Sequence, residues 1–467
     1  MLGLRRTHPD RLLPVEPDTR AIARDLYHRV AERRIISPHG HVDPALLRSD
    51  APFEDPAELF IVHDHYVTRL LHAAGADLAS LGIGPGAPKG GSREIWRTLA
   101  EHWHVFAGTA TGYWLEEELS GVLGIEEELG PQTADRIYDE ICERLAQPAF
   151  RPRALFERFG IEVLATTDDP LDDLGHHRAL RESGLPGRIV PTFRPDAYLD
   201  PSQPGFTARV ERLLAATGAP ATFAGYLAAL ESRRAHFIAH GAVSADHGVV
   251  EPLTADLDPG EAERLFRAVL SGAADPAQQR AFLAHMLFQM ARMSVDDGLV
   301  MTVHAGVHRN HSRPTLERFG ADTGHDIPLP TTFTEGLRPL LERFGLRRDL
   351  HIVLFTVDET TFSRELAPLA GFYPAVYVGA PWWFLDAPDA IARFRSAVTE
   401  TAGFYRTSGF IDDTRAFLSI PARHDTARRA DAAFLARLVR QGRLSLPRAE
   451  RIADDLVDAI PRAVFKL

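Results

Sequence analysis

The chain is short of cysteine, lysine and long apolar runs, and each shortage excludes something. Cys142 is the single cysteine among 467 residues. Neither a disulfide framework within the chain nor a cysteine-built zinc site is available to it. No apolar stretch approaches the ~20 residues that span a bilayer. The stretch Met1 to Asp10 is charged and lacks the apolar centre of a signal peptide, so a cytoplasmic location is the expectation. Lysine occurs only at Lys89 and Lys466, and the rest of the 52 basic residues are arginine. Genome composition is the first explanation of that bias. The Gly/Pro-rich stretch from Gly82 to Gly91 has no Walker or dinucleotide spacing and reads as a connector. Internal repeats and low-complexity tracts are absent. A net charge of −12 argues against non-specific nucleic-acid binding. What is abundant is core material: 45% of the residues are hydrophobic, enough for a large packed interior.

Periodicity alternates along the chain. Thr19 to Arg33 has helical spacing through Ile22, Leu26 and Val30. Short apolar runs then recur, each ending in polar residues. Ile35-Ile36 runs into His39, and Ile161 to Ala165 into Asp168-Asp169. Arg188 to Phe193 ends at Arg194, Ala242 to Ala245 at Asp246-His247, and Gly298 to Val303 at His304. His351 to Val357 ends at Asp358, Ala375 to Gly379 leads to Trp382-Trp383, and Gly409 to Asp412 ends at Asp413 and Arg415. Helical patterns separate nearly all of these eight candidate strands, which implies a parallel sheet. The expected fold is α/β, a distorted (β/α)8 barrel of the TIM type in one domain covering 1–467. Large helical insertions are expected at about 44–160 and 195–297. Such barrels carry their sites where the strands end. A doubly wound open sheet is the alternative, and it would not require so regular a placement of polar residues.

The strand ends carry chemistry. Residues i and i+2 of a strand point to one face, so His39 and His41 aim two imidazoles at one place. In a closed barrel the last strand neighbours the first and brings Asp413 opposite them. Two histidines and a carboxylate make a divalent-metal site with open positions. His304 and Asp246-His247 are further candidates as ligands or acid–base groups. Some barrels bridge two metals with a carboxylated lysine on a central strand. Lys89 and Lys466 lie near no strand end, so at most one metal is expected. Arg194 and Arg415 offer guanidinium forks for a substrate carboxylate, the plain alternative being ion pairs with Asp168, Asp169 or Asp412. Tyr66 is a candidate acid or base if a nearby cation lowers its pKa, and packing is its simpler role. Asp64 is placed to cap the helix that Tyr66 opens. Trp382-Trp383 offers either a stacking wall for a sugar or a core pair.

Taken in order, several blocks match one family. They include Pro38-His39-Gly40-His41, Asp64-His65-Tyr66 with Arg69, Thr166 to Pro170, and Phe193-Arg194-Pro195-Asp196. Later come His304-Ala305-Gly306 with Arg309-Asn310, Trp382-Trp383-Phe384, Asp413 to Ser419, and Arg423-His424. Over nearly its whole length the chain resembles the uronate (glucuronate) isomerases of the amidohydrolase superfamily. It departs from the family pattern at Gly40, His63 and His311, none of them a ligand position. The resemblance implies aldose–ketose isomerisation of hexuronates, D-glucuronate to D-fructuronate and D-galacturonate to D-tagaturonate. It implies His39, His41 and Asp413 as metal ligands, and Tyr66 and Arg415 as the pair that moves the proton. Asp413 is also placed to help open the sugar ring. His65, Arg194, His304 and Trp383 are implied to line the substrate site.

The cofactor expected is one divalent ion, with Zn2+ the first choice and Mn2+, Co2+ or Fe2+ open. The partner expected is a small-molecule uronate, with no nucleic acid and no membrane, and self-association is left open. The main rival is a metal-dependent hydrolase of a sugar-acid lactone or amide, with Asp413 taking a proton from water. A non-catalytic sugar-acid binder is the third reading, and it leaves the polar strand ends unexplained.

Overall fold

The computed structural model describes residues 8–85 and 91–467. The expectations for Met1 to Thr7, and the part of the Gly/Pro connector that holds Lys89, lie outside the described residues. The chain is an α/β protein with parallel sheets. Three short strands, β1 (Ile35–Ser37), β2 (Ile161–Ala165) and β3 (Arg188–Val190), pair in that order. A second sheet holds β4 (Ser244–Val249) and β5 (Val300–Ala305). A small antiparallel pair follows, β6 (Val307–His308) with β7 (Ile327–Pro328), before β8 (Ile352–Thr356) and β9 (Val376–Val378) complete the second sheet in the order β4-β5-β8-β9.

The register sets Ile36 beside Val163, Leu164 beside Ile189, Ala245 beside Met301 and Val303 beside Leu354. All of β5 and β8 is buried, as parallel strands covered on both faces must be. Single parallel bridges extend the sheets. Phe193 pairs with Ala245, and Val378 pairs with Thr407. The His41 N–H also donates to the Thr414 carbonyl at 3.0 Å.

Two details differ from the sequence reading. First, β4 runs on to Val249, four residues past the apolar run that ends at Ala245, so Asp246 and His247 sit inside the strand and are wholly buried. Second, Gly409 to Asp412 forms no regular strand. Gly409 lies at φ +75°, and polar side chains take up the backbone groups there. Ser408 Oγ donates to the Gly409 carbonyl and accepts the Ala380 N–H, while Arg423 reaches the Asp412 carbonyl. A chain satisfied by side chains has few groups left for a ladder.

The helices follow their start signals. The first runs over Pro17–Ala31 and buries Leu26 and Val30. The segment 44–160 is helical throughout its regular parts, with Trp96, Trp103 and Trp114 buried. In 195–297 the helices are divided by β4. Pro276–Asp297 begins with a reciprocal Asp275–Gln278 capping box and ends at Gly298 in the left-handed region. Ile420–Arg440 packs against the first helix and is buried along most of its length. No helix among the described residues is long and apolar enough to cross a membrane.

Candidate active site

Segments that follow the strands converge on one cavity of about 960 Å3. It is lined by His39, His41, His65, Tyr66 and Arg194, and also by His304, Trp383, Asp413 and Arg415. The structure thus gathers the expected ligands and the expected substrate-site residues at one place, whereas Asp246 and His247, the further ligand candidates, are buried in β4 and do not line the cavity.

Four lining residues other than glycine have positive φ: Asn310, Asp322, Trp383 and Asp413. Such conformations cost of order 1–3 kcal/mol each and are held only where their surroundings dictate them.

His39 Nε2 and His41 Nε2 lie 3.3 and 2.9 Å from Asp413 Oδ1. That oxygen is buried yet accepts no well-formed hydrogen bond. His304 Nε2 is buried and unpartnered as well. His39, His304 and Asp413 each bring a ligand atom within 4.8 Å of the others. Donors around one ion at bonds of ~2 Å stand slightly closer together, at roughly 3–4 Å. Converging lone pairs without donors are what a cation satisfies, so the donor set fits a metal. His304 therefore stands with the expected ligands and not only on the substrate wall.

Its orientation has clear causes. Asp246 Oδ1 accepts from His304 Nδ1 at 2.6 Å and from the Thr302 hydroxyl at 2.6 Å. A carboxylate can only accept, so Nδ1 carries a proton, and in the neutral ring Nε2 is the nitrogen with the free lone pair. The ring is also stacked between His39 (4.7 Å) and Phe355 (4.2 Å).

Electrostatics follow from burial and pairing. Burial opposes the charge of Asp413, but His39 and His41 outweigh it and hold its pKa well below the usual range. Asp246 is held well below its range too, burial being overcome by His304, His39 and Arg194. Burial pushes His65 down to about 3, with Arg415 adding to the effect. Both His65 ring nitrogens are buried without partners, so it faces the cavity as a neutral imidazole.

The arginines pair with carboxylates other than those expected. Arg194 Nε donates to Asp196 at 2.9 Å, and its Nη1 stands 3.3 Å from Asp246. Arg415 Nη1 lies 3.6 Å from Asp322. Arg309 lies over the Trp383 ring at 4.5 Å. Trp382 and Trp383 are both buried, with ring centres 5.5 Å apart, and Trp383 faces the cavity.

One condition set in the sequence is not met: no nearby cation lowers the Tyr66 phenol below its ordinary value. Burial holds it well above its ordinary value, and the cation that opposes this most is Arg423. Arg423 lies under the ring at 5.2 Å from its centre. In the ligand-free chain Tyr66 is a neutral phenol. Arg423 and Asp322 went unassigned in the sequence. Arg423 sits in an Arg-rich helix that reads as solvated, and Asp322 in a loop without periodicity.

An α/β chain that gathers imidazoles, a carboxylate, arginines and a tyrosine around one cavity has the make-up of an enzyme site whose donor set fits a metal ion. Residues 18–463 match the glucuronate isomerase family. The uronate isomerase of Corynebacterium efficiens is 54% identical over 463 residues, covering 98% of each chain. The crystal structure of glucuronate isomerase from Caulobacter crescentus superposes with a TM-score of 0.97 at 48% identity, covering 99% of this chain and 97% of that one. Uronate isomerase from Thermotoga maritima gives 0.93 at 28% identity, covering 98% and 99%. The chain belongs to the glucuronate isomerase family.

Proposed function

We propose that the chain interconverts hexuronate aldoses and ketoses, D-glucuronate with D-fructuronate and D-galacturonate with D-tagaturonate, in the cavity described. The observation that carries this reading is the convergence of His39, His41 and Asp413 with Arg194, Arg415 and Tyr66 in one chamber. Whole-length kinship with uronate isomerases supports it. We read the chain as one barrel domain. The bridges Phe193–Ala245 and Val378–Thr407 and the His41–Thr414 hydrogen bond support a closed ring of strands.

His39, His41, His304 and Asp413 would hold one divalent ion, and Zn2+ suits imidazoles with a carboxylate. When bound, the ion supplies positive charge that helps to hold the sugar acid. The protein's own groups do the rest. Arg194, fixed from behind by Asp196 and Asp246, presents its fork to the substrate carboxylate. Neutral His65 hydrogen-bonds a hydroxyl. Asp413 accepts the anomeric hydroxyl proton as the ring opens.

In the open chain the phenolate of Tyr66 removes the C2 proton. The C2–H electron pair becomes the C1–C2 double bond, and the carbonyl pair moves to O1, which faces Arg415. Tyr66 then returns the proton to C1 while the O2 proton passes to O1, the O2 electron pair closes the C2 carbonyl, and the ketose forms. Because the resting phenol is neutral, its base form has to be generated in the substrate complex. Activity should therefore climb on the alkaline side of neutrality. Incubation with D-glucuronate and a ketose-specific coupled reductase tests the reading: ketose is expected, and its absence from both uronates overturns it.

A further inference from the structure

Arg423 is a buried cation that lies against the Tyr66 ring, and its contacts go beyond packing. Its side chain is 1% exposed. The guanidinium lies 3.6 Å from the Trp114 ring centre and 5.2 Å from that of Tyr66, and the two rings meet edge to face. Nη1 donates to Asp386 at 2.9 Å and to the Asp412 carbonyl at 3.4 Å, and Nε donates to the Ser419 hydroxyl at 3.1 Å. Asp386 closes the turn after Trp383, its N–H reaching the Trp383 carbonyl. Asp412 precedes the ligand Asp413. Arg423 thus touches the three pieces of wall that carry Tyr66, Trp383 and Asp413. Its Nη2 is buried with no hydrogen-bond partner. A cation in so dry a setting is expensive unless its charge is used. Arg415, by contrast, is engaged by Asp322 on the cavity side.

We propose that Arg423 is a positioning residue for the proton transfer. It holds the Tyr66 ring against Trp114 and supplies the positive charge beneath the phenolate that receives the C2 proton. Arg415 is left to the substrate oxygen. The inference rests on the isomerase reading. The other charged groups that act on Tyr66 include Asp64, Asp386, Asp413 and Arg69, and the variants below leave all four in place.

The test uses the full-length, Zn2+-loaded chain with D-glucuronate as the probe. A wild-type chain that forms no ketose overturns the isomerase reading and this inference with it. Variant results bear on the inference alone. Arg423→Met is expected to lower kcat by about 100-fold or more while KM stays within about threefold. The Tyr66 limb of the pH dependence of kcat/KM should move up by about one unit. Arg423→Lys should recover about tenfold of the kcat loss, because the charge returns without the fork. A methionine variant with kcat within about threefold of wild type, or an unmoved pH limb, overturns the role. Should that variant show no cooperative melting, the lysine variant decides. A kcat drop of about tenfold at unchanged KM supports the role, and an unchanged kcat overturns it.

Discussion

At the scale of the residue, the candidate site is a set of side chains whose states are fixed by their neighbours. Asp246 faces His304 with one oxygen and Arg194 with the other. It therefore holds the imidazole lone pair on Nε2 and the guanidinium in place together. Asp246→Asn removes the charge that fixes the tautomer. Metal affinity should drop by about 10–100-fold, measured by competition with a chelating dye. An unchanged affinity would detach His304 from the metal. Tyr66→Phe keeps the ring on Arg423 and loses only the hydroxyl. It should lower kcat by about 10²–10⁴ with little change in KM. Exchange of the C2 proton in heavy water should stop, and undiminished exchange would remove Tyr66 from the role.

How much of this was readable varies with the signal. The His39–His41 spacing and the place of Asp413 after a short apolar run are local facts of sequence. The partnership of Arg423 with Tyr66 is not, because a buried arginine in a helix with many surface-like charges carries no local mark. The lowering of Tyr66 by a nearby cation failed for a related reason. Charge proximity was readable, but desolvation was not.

At the scale of the element, seven of the eight apolar runs hold a strand, but strand limits and the β6–β7 pair were not readable. Gly409 to Asp412 looks like a strand in composition, yet side chains satisfy its backbone. The Asp64 cap was readable from its place before an amphipathic run, and the carboxylate accepts the Tyr66 N–H at 2.8 Å. Asp64→Ala should cost about 0.5–2 kcal/mol in chemical denaturation. Because the cap orients the turn that carries His65 and Tyr66, kcat should fall as well.

A buried chain beyond β2 gives a pH test. Thr166 Oγ1 lies 2.7 Å from Asp168 Oδ2 and 2.8 Å from His177 Nε2. Burial pushes Asp168 up to about 7 and His177 down to about 4. Between these values the folded state keeps a proton on Asp168 and none on His177. The unfolded state does the reverse until His titrates near its ordinary ~6.5. The two contributions to the pH slope therefore nearly cancel from about pH 4 to 6.5. His177→Asn leaves only the raised aspartate, so stability should fall as pH rises through that window, by up to about 1.4 kcal/mol per unit. Asp168→Asn leaves only the depressed histidine, and stability should fall as pH drops instead. Chemical denaturation at pH 4.5, 5.5 and 6.5 reads both slopes. Equal slopes in the two variants would contradict this account.

At the scale of the whole molecule, the parallel sheets bring residues from both ends of the chain to one cavity. His39 and His41 meet Asp413, some 370 residues later, and the His41–Thr414 hydrogen bond joins their segments. Alternation of strand and helix made that convergence readable in outline. The loops, with Asp322 and Asn310 in left-handed conformations, were not readable, since tertiary contacts and not local preference hold them. The cavity, the arginines and the family point to a single act: moving a proton between C2 and C1 of a hexuronate. Proton NMR of D-glucuronate incubated with the metal-loaded chain in heavy water tests that most directly. The account predicts ketose signals together with deuterium at the carbons that exchange through the enediol. A spectrum in which neither D-glucuronate nor D-galacturonate yields ketose would contradict it.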